Sequence, residues 1–226
     1  MNAKQVAAEK AVGYIENGML VGLGTGSTAF FAIKKIGDRV KEEGLKITAV
    51  ASSSGSEELA RSVGIPLVPL SEIESIDLYI DGADEVDKNH HLIKGGGAAH
   101  LREKILASNS RKFIVIIDDS KFVETLGNFP LPVEITPFAS NLTLNKLAQL
   151  GCKSKIRMVN KEMLITDNGN YIVDCLFGKI HDPEALDTTI HSIPGVVETG
   201  IFPNSMVHGV IIGYESGKIV EAFSKV

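Results

Sequence analysis

The sequence predicts an α/β protein whose first domain is built on a mostly parallel sheet with helices on both faces. In residues 1–127, short apolar runs alternate with segments in which apolar residues recur at helical spacing. The strand-like runs are apolar throughout, which is typical of a parallel sheet that is buried on both faces. Beyond residue 128, prolines interrupt the chain and turns separate shorter segments. We therefore predict a Rossmann-like domain and a smaller α+β domain of ferredoxin-like character.

The elements of the first domain follow from these two patterns in chain order. Residues 3–17 carry apolar side chains at helical spacing, the run at 19–23 predicts a buried strand, and helical spacing resumes at 28–43. Further strands are predicted at 47–51, 76–80, 91–93 and 113–117, and further helices at 57–63 and 98–107. Strands at 206–212 and 218–223 return to this domain, so its predicted extent is 1–127 plus 201–226.

The smaller domain is predicted to span residues 128–200. Its strands are expected at 133–135, 154–159, 171–176 and 196–199, and its helices at 139–150 and 183–191. Asp167-Asn168-Gly169 lies between two apolar runs and predicts a hairpin turn, because Asn-Gly accepts the positive φ angles of such turns.

The composition excludes several classes of protein. The chain has 226 residues, of which 44% are hydrophobic, and a net charge of −5. An acidic chain is a poor match for nucleic acid, whose binding depends on the neutralisation of phosphates. No apolar run reaches the roughly 20 residues that span a bilayer, so we expect neither a nucleic-acid nor a membrane partner. Cys152 and Cys175 are too few for a disulfide framework, and we expect buried thiols in a cytoplasmic protein.

A glycine-rich loop, Gly22-Leu-Gly-Thr-Gly-Ser-Thr28, joins a predicted strand to a predicted helix and is a candidate anion site. Glycines let backbone amides face an anion, and the helix N-terminus adds positive charge. The loop lacks the lysine of a P-loop, and its Gly-x-Gly-x-Gly spacing differs from the dinucleotide fingerprint. A small phosphorylated ligand therefore fits better. A glycine turn with Ser27 or Thr28 as the helix cap is the structural alternative.

Asp81-Gly-Ala-Asp84-Glu85 comes directly after a predicted strand. Two neighbouring acids can hydrogen-bond adjacent hydroxyl groups, divide acid and base roles, or bind a divalent metal. The metal interpretation lacks further ligands, because His90 and His91 lie in a polar turn. An Asx turn with a helix cap is the structural alternative.

Lys94 and the three glycines at 95–97 precede the predicted helix 98–107. A lysine beside a glycine nest can neutralise an oxyanion that develops during a reaction; a lysine on a flexible surface turn is the alternative. Glu103 shares a helix face with Ala99 and Ala107, so it can point into a cleft over small side chains. A glutamate in the sequence Arg-Glu-Lys is more often solvated.

Together, the acids, the lysine and the phosphate loop indicate proton transfer next to a carbonyl group. No activated serine or cysteine is evident in the sequence, and no cofactor motif is found. Isomerisation of a sugar phosphate without a cofactor uses such groups, since one carboxylate moves a proton while cations or acids stabilise the enediolate. Two alternatives stay open, a sugar-phosphate-sensing module and an amino-sugar phosphate isomerase/deaminase of the same scaffold.

The motifs, taken in order and spacing, resemble type A ribose-5-phosphate isomerase over nearly the whole chain. The segments that carry the resemblance are Gly24-Thr-Gly-Ser-Thr-Ala29, Asp81-Gly-Ala-Asp-Glu85, Lys94-Gly-Gly-Gly-Ala-Ala99, Arg102-Glu-Lys104, Asp119-Ser-Lys121, Phe129-Pro-Leu-Pro-Val-Glu134 and Ile193-Pro-Gly-Val-Val-Glu-Thr-Gly200. The glycine loop alone is a weak signal, whereas the ordered set is specific. One departure is His100, which stands where we expect an apolar residue and which we expect at the surface.

The resemblance implies interconversion of D-ribose 5-phosphate and D-ribulose 5-phosphate in the non-oxidative branch of the pentose phosphate pathway, with no metal or coenzyme. It implies that Glu103 carries the proton between C1 and C2, that Asp81 assists ring opening, and that Asp84 and Lys94 hold hydroxyl and carbonyl oxygens. The substrate-binding residues that it implies are Thr25, Gly26, Ser27, Thr28, Asp81, Gly82, Ala83, Asp84, Lys94, Gly95, Gly96, Gly97 and Lys121. It also implies a homodimer or homotetramer.

Overall fold

The computed structural model describes residues 1–223 of the chain. Its helices are α1 Ala3–Val12, α2 Ser27–Glu42, α3 Ser54–Ser62, α4 His100–Ser108, α5 Ser140–Ala148 and α6 Pro183–His191. Its strands are β1 Leu20–Leu23, β2 Thr48–Ala51, β3 Leu78–Gly82, β4 Glu85–Asp87, β5 Leu92–Ile93, β6 Phe113–Asp118, β7 Phe122–Val123, β8 Leu131–Ile135, β9 Lys153–Ile156, β10 Met158–Val159, β11 Glu162–Met163, β12 Tyr171–Leu176, β13 Val196–Thr199, β14 Ile201–Phe202, β15 Gly209–Gly213 and β16 Ile219–Phe223. Among the described residues, no helix is long and apolar enough to cross a membrane.

The described residues separate into two compact units, and the first consists of residues 1–83, 102–122 and 205–223. Its sheet has the strand order β2-β1-β3-β6-β15-β16. The first five strands pair in parallel, and β16 adds to β15 in the antiparallel direction. Strands β3 and β6 are apolar runs buried along nearly their whole length, as expected for the centre of a parallel sheet.

Helices α1 and α2 contact each other and pack on this sheet. Small alanines of α1 and the apolar stripe of α2 join the strand residues in one core cluster. Because the apolar side chains recur at helical spacing, each helix buries one face against the strands.

The second unit consists of residues 84–101 and 123–204. A four-stranded sheet with the order β13-β8-β12-β9 has antiparallel pairing between its neighbouring strands. Its core contains Cys152 and Cys175 as buried free thiols, which confirms the expected state of both cysteines. The predicted turn at Asp167-Asn168-Gly169 is also present, closed by the antiparallel pair Ile165 and Tyr171.

The predicted fold class is confirmed, with a mostly parallel central sheet, helices and additional antiparallel sheets. Strands β15 and β16 join the first sheet as expected. The domain boundaries predicted after residues 127 and 200 stay a prediction; in the compact units, residues 84–101 group with the second unit.

Candidate active site

The carboxyl ends of the parallel strands in the first unit carry most of the predicted site residues. The glycine loop follows β1, Ser52 follows β2, Asp81 lies at the end of β3, and Lys121 follows β6. These strands are neighbours in the sheet. In open α/β sheets, ligands bind at this edge, at the point where the chain connections leave in opposite directions along the sheet. Here that point lies between β1 and β3, because β1 connects to β2 on one side and the chain then continues with β3 on the other side of β1.

The glycine loop is shaped as an anion site. Gly26 is the N-cap of α2, with a φ of 103° that favours glycine, and no side chain caps the helix. The alternative of a cap by Ser27 or Thr28 is therefore excluded, because both residues lie inside the helix. The amide groups of an uncapped first turn and the helix dipole favour a bound anion. Lys4 of α1 donates from Nζ to Ser27 Oγ at 2.9 Å, which places a positive charge at this loop.

Asp81 is fully buried at the end of β3, and both of its carboxylate oxygens accept hydrogen bonds. Oδ1 accepts from the backbone amides of Thr25, at 3.0 Å, and of Gly82, at 2.7 Å. Oδ2 accepts from the hydroxyl group of Tyr79. A Cβ atom at Gly24 would lie 2.1 Å from Asp81 Oδ1, so only glycine permits this close approach. The carboxylate and the glycine loop are thus held together.

Glu103 lies in α4 and is only 3% exposed. The helix begins at His100, so Ala99 precedes it; Ala107 on the helix is buried like Glu103, and the alternative of a solvated glutamate is wrong. Burial and the carboxylates of Asp81 and Glu103 hold the pKa of the fully buried Tyr79 phenol well above its ordinary value. The first unit therefore brings both carboxylates close to one phenol.

Lys121 ends a one-turn 3-10 helix after β6, in which the Asp118 side chain accepts a hydrogen bond from the Ser120 amide at 3.1 Å. Lys121, Lys4 and Ser120 line the same open cavity of ≈ 790 Å³ in the first unit. Of the two lysines, Lys4 contacts Ser27 at the uncapped end of α2, where a positive charge favours a phosphate group; Asp118, Asp119 and Glu215 also line the cavity.

The remaining predicted site residues belong to the second unit, except for Ala83, which ends a segment of the first. Asp84 accepts a hydrogen bond from the Gly96 amide to Oδ2 at 2.7 Å, and a Cβ atom at Gly96 would clash with the same carboxylate. Gly95 has a φ of 108°. Arg157 donates to the carbonyl oxygens of Gly95, at 2.7 Å, and Gly96, at 3.1 Å. The glycine nest, which continues to Gly97, is therefore fixed from two sides.

Lys94 is 2% exposed, which excludes the alternative of a lysine on a flexible surface turn. Its backbone amide donates to the Gly200 carbonyl at 2.8 Å, and Gly200 has no room for a Cβ atom beside the Lys94 carbonyl. Its Nζ atom lies 5.5 Å from the centre of the Phe202 ring, within cation–π range. Because the ammonium group is buried, its interaction with an oxyanion is stronger than it would be in water.

The expectation for His100 is wrong, because the residue is fully buried rather than at the surface. Its Nε2 atom lies 3.4 Å from the Glu198 carbonyl oxygen, and its Nδ1 atom would be 2.7 Å from a Cβ atom at Gly95. The buried ring therefore lies beside Gly95, the first glycine of the nest.

Several further residues contact the predicted site and were missed from the sequence, among them Ser52, Ser53 and Ser56, whose hydroxyl oxygens lie 2.7, 2.8 and 3.2 Å from Thr25 Oγ1. Lys4 binds the glycine loop, Tyr79 binds Asp81, and Arg157 binds the glycine nest. Tyr79 had a detectable signal, since residues two apart on a strand share a face and Asp81 was already a candidate. Lys4 and Arg157 lie outside every motif, and no spacing rule connects them to their partners.

One group of possible metal ligands occurs in the described part of the chain, formed by Asp187, His191 and Glu198. It includes none of the predicted site residues. The two ring nitrogens of His191 each face a different carboxylate, at 3.4 Å and 2.9 Å, which is the arrangement of a surface ion-pair cluster.

The chain matches a family model described as ribose 5-phosphate isomerase A (phosphoriboisomerase A) over residues 48–217. Ribose-5-phosphate isomerase A of Bacillus mycoides (strain KBAB4) is 50% identical over 218 residues, covering 96% of this chain and 98% of the relative. A solved structure of ribose 5-phosphate isomerase A from Methanocaldococcus jannaschii matches with a TM-score of 0.93 at 40% identity and 99% coverage of both chains. A D-ribose-5-phosphate isomerase solved in complex with phospho-erythronic acid matches with a TM-score of 0.94 at 39% identity, covering 99% of this chain and 100% of its own. The resemblance of the motifs is confirmed, and the chain belongs to the ribose 5-phosphate isomerase A family.

Proposed function

We propose that the protein interconverts D-ribose 5-phosphate and D-ribulose 5-phosphate through an enediolate, with Glu103 as the base. The protein is an aldose–ketose isomerase by its family, and this reaction belongs to the non-oxidative branch of the pentose phosphate pathway. The observation that carries the residue assignment is the burial of Glu103, a carboxylate in the same unit as the glycine loop and Asp81. A desolvated carboxylate is a stronger base than a solvated one.

The phosphate group of the substrate is proposed to bind at the start of α2. Thr25, Gly26, Ser27 and Thr28 supply amide and hydroxyl donors there, and the uncapped helix end supports this assignment. The positive charge comes from Lys121 and from Lys4, whose ammonium group already contacts Ser27.

The sugar oxygens are proposed to bind Asp81–Asp84 and the Lys94–Gly97 segment. Asp81 acts as the acid/base partner in ring opening, and its position at the end of β3 beside the glycine loop supports this role. Asp84 holds a hydroxyl group while its other contact, to Gly96, fixes its orientation. Lys94 stabilises the negative charge that develops on the carbonyl oxygen, and its burial supports this role.

The proposed reaction then needs one proton shuttle. Glu103 removes the proton from C2 of the open-chain aldose, and the electron pair of that bond forms the C1–C2 double bond of the enediolate. The negative charge collects on the C1 oxygen beside Lys94. Glu103 returns the proton to C1, the C1 oxygen takes up a proton, and the C2 hydroxyl loses one to become the ketone. Atoms and electrons balance without a coenzyme, since the substrate is oxidised at C2 and reduced at C1.

Three further points are proposals that rest on the family. The protein works without a metal or coenzyme, acts in the cytoplasm, and assembles as a homodimer or homotetramer. An assay with and without a chelator tests the first point, because loss of activity on chelation contradicts it. An assay with glucosamine 6-phosphate as the substrate tests the alternative of an amino-sugar phosphate isomerase/deaminase. Turnover of this sugar in preference to ribose 5-phosphate supports that alternative.

A coupled assay for ribulose 5-phosphate formation tests the proposed function. We expect the wild-type protein to convert ribose 5-phosphate and Glu103→Gln to lose about 10²- to 10⁴-fold in kcat, while it still binds substrate. Glu58→Gln is the matched control, since Glu58 is an exposed glutamate of α3. Near-normal turnover in Glu103→Gln would contradict the base assignment, and an inactive wild-type protein would contradict the function.

A further inference from the structure

Tyr79 is a fully buried polar residue that the proposed reaction does not use. It lies two residues before Asp81 on β3, so both side chains point to the same face of the sheet. Its ring stacks on Phe113 with a centroid distance of 4.9 Å and an interplanar angle of 26°. Its hydroxyl group donates to Asp81 Oδ2. The ring thus has its own packing partner, and the hydroxyl group is committed to a carboxylate of the proposed site.

Ser52, which is fully buried after β2, is a neighbour of the Tyr79 hydroxyl group. The hydroxyl oxygens of Ser52 and Thr25 are 2.7 Å apart. The backbone amide of Thr25 in turn donates to Asp81 Oδ1 at 3.0 Å. These contacts connect Thr25, Ser52, Tyr79 and Asp81 in one cluster of polar groups, which we call the hydroxyl ring. It connects three neighbouring strand ends of the sheet, those of β1, β2 and β3.

The phenol is a permanent hydrogen-bond donor in this ring. Burial and the nearby carboxylates of Asp81 and Glu103 raise the pKa of Tyr79 well above its ordinary value, so the hydroxyl group keeps its proton at neutral pH. Such a donor is fixed in place by ring stacking and stays protonated, so it restricts the orientation of the Asp81 carboxylate that accepts its hydrogen bond.

We propose that Tyr79 is a positioning residue of the isomerase, which holds the Asp81 carboxylate in the orientation required for the sugar and does so through the hydroxyl ring. This inference rests on the proposed function of Asp81. Without the phenol hydroxyl, Asp81 keeps its two amide contacts on Oδ1 but loses the hydrogen bond that orients Oδ2, the oxygen proposed to act in ring opening. Tyr79 itself touches no reacting atom and acts through Asp81.

The first experiment compares two Tyr→Phe variants in the coupled assay. Tyr79→Phe removes one hydroxyl group and keeps the stacking on Phe113, and we expect kcat/KM to fall about 10- to 100-fold through loss of a charge-assisted hydrogen bond. Tyr14→Phe is the matched control, because Tyr14 also donates to a carboxylate, that of Glu221, outside the proposed site. It should stay within about twofold of the wild type. An equal loss in both variants, or no loss in Tyr79→Phe, overturns the proposal.

Inorganic phosphate as a competitive inhibitor separates positioning from a general structural effect. The phosphate site keeps its amides and lysines in Tyr79→Phe, so the inhibition constant should change by less than about threefold. A loss of phosphate affinity as large as the loss of kcat/KM indicates a collapsed loop and overturns the positioning role. Ser52→Ala removes a different hydroxyl group of the hydroxyl ring. It should lower kcat/KM by a smaller factor than Tyr79→Phe and leave the phosphate inhibition constant unchanged, so it replaces Tyr79→Phe if that variant folds poorly.

A double-mutant cycle with Asp81→Asn is the decisive readout. If Tyr79 acts only through Asp81, the Tyr79→Phe change costs less than about threefold when Asp81 is already asparagine. Additive losses overturn the proposal. The same cycle on the dissociation constant of phospho-erythronic acid, measured by calorimetry, needs no turnover and gives the answer if the double variant is inactive. Because the wild-type activity is measured separately, a failure of the cycle is distinguishable from a failure of the proposed function.

Discussion

Gly24→Ala tests whether the contact between the glycine loop and Asp81 is required for activity. The added Cβ atom would lie 2.1 Å from Asp81 Oδ1 and 2.5 Å from Asp81 Cβ, whereas real Cβ contacts are essentially never shorter than 3.0 Å. Either the loop or the carboxylate must move by about 1 Å, and displacements of that size cost about 100-fold in rate. The hydrogen bonds from Thr25 and Gly82 to Oδ1 break or lengthen with the same movement. We therefore expect kcat/KM to fall about 100-fold, equivalent to about 2.7 kcal/mol.

Gly55→Ala is the matched control for this prediction. Gly55 lies in the first turn of α3, and a Cβ atom there meets nothing within 4 Å. The substitution should keep activity within about twofold and stabilise the protein by about 0.5–1 kcal/mol in a urea titration, because alanine favours the helix. The coupled isomerase assay measures both variants. Activity of Gly24→Ala within threefold of the wild type would refute the reasoning, as would an equal loss in both variants.

Two further changes test the packing of each unit. Glu134→Ala should lower the free energy of unfolding, measured by urea titration, by about 3 kcal/mol. The reason is that the buried Glu134 Oε1 atom accepts hydrogen bonds from Thr166, Asn168 and Asn170 at 2.9, 3.2 and 2.9 Å. A loss near zero contradicts this account of the turn. The hydrogen bond to Glu221 raises the pKa of Tyr14 from 10.0 to about 12. The stability that Tyr14 has over Tyr14→Phe should therefore be complete below about pH 10 and disappear as the pH rises towards about 12, and a difference that stays constant across this range argues against the assignment.

The sequence was informative where a single local pattern determines structure. Strand β6 is an apolar run rich in β-branched residues, so the predicted strand at 113–117 differs from Phe113–Asp118 by one residue. Helix ends were less accurate: the first helix was predicted over 3–17 and ends at Val12, because Gly13 begins a turn. The glycine loop was recognised because positive φ and close approach require glycine itself.

The site was predictable only as far as its residues lie in motifs. Asp81 and Lys94 became candidates because each lies next to glycines in the sequence. Glu103 depended on the family resemblance, since a glutamate between arginine and lysine has the same local pattern whether it is solvated or buried. The burial of His100 was missed for a related reason. It depends on contacts with Gly95 and with residues that are distant in sequence, which no local pattern reveals.

The register between β6 and β15 has a consequence for how the protein is made. β15 pairs in parallel with β6 from Gly209 opposite Ile114 to Gly213 opposite Asp118, and the whole segment 123–204 of the second unit is translated between them. During translation, the apolar edge of β6 is therefore synthesised and exposed before β15, its neighbour in the sheet, has been made. Contacts this distant in sequence form slowly, and an unpaired apolar strand edge promotes association with other chains. We expect completion of the first sheet to be a late step of synthesis, during which the nascent protein depends most on chaperones.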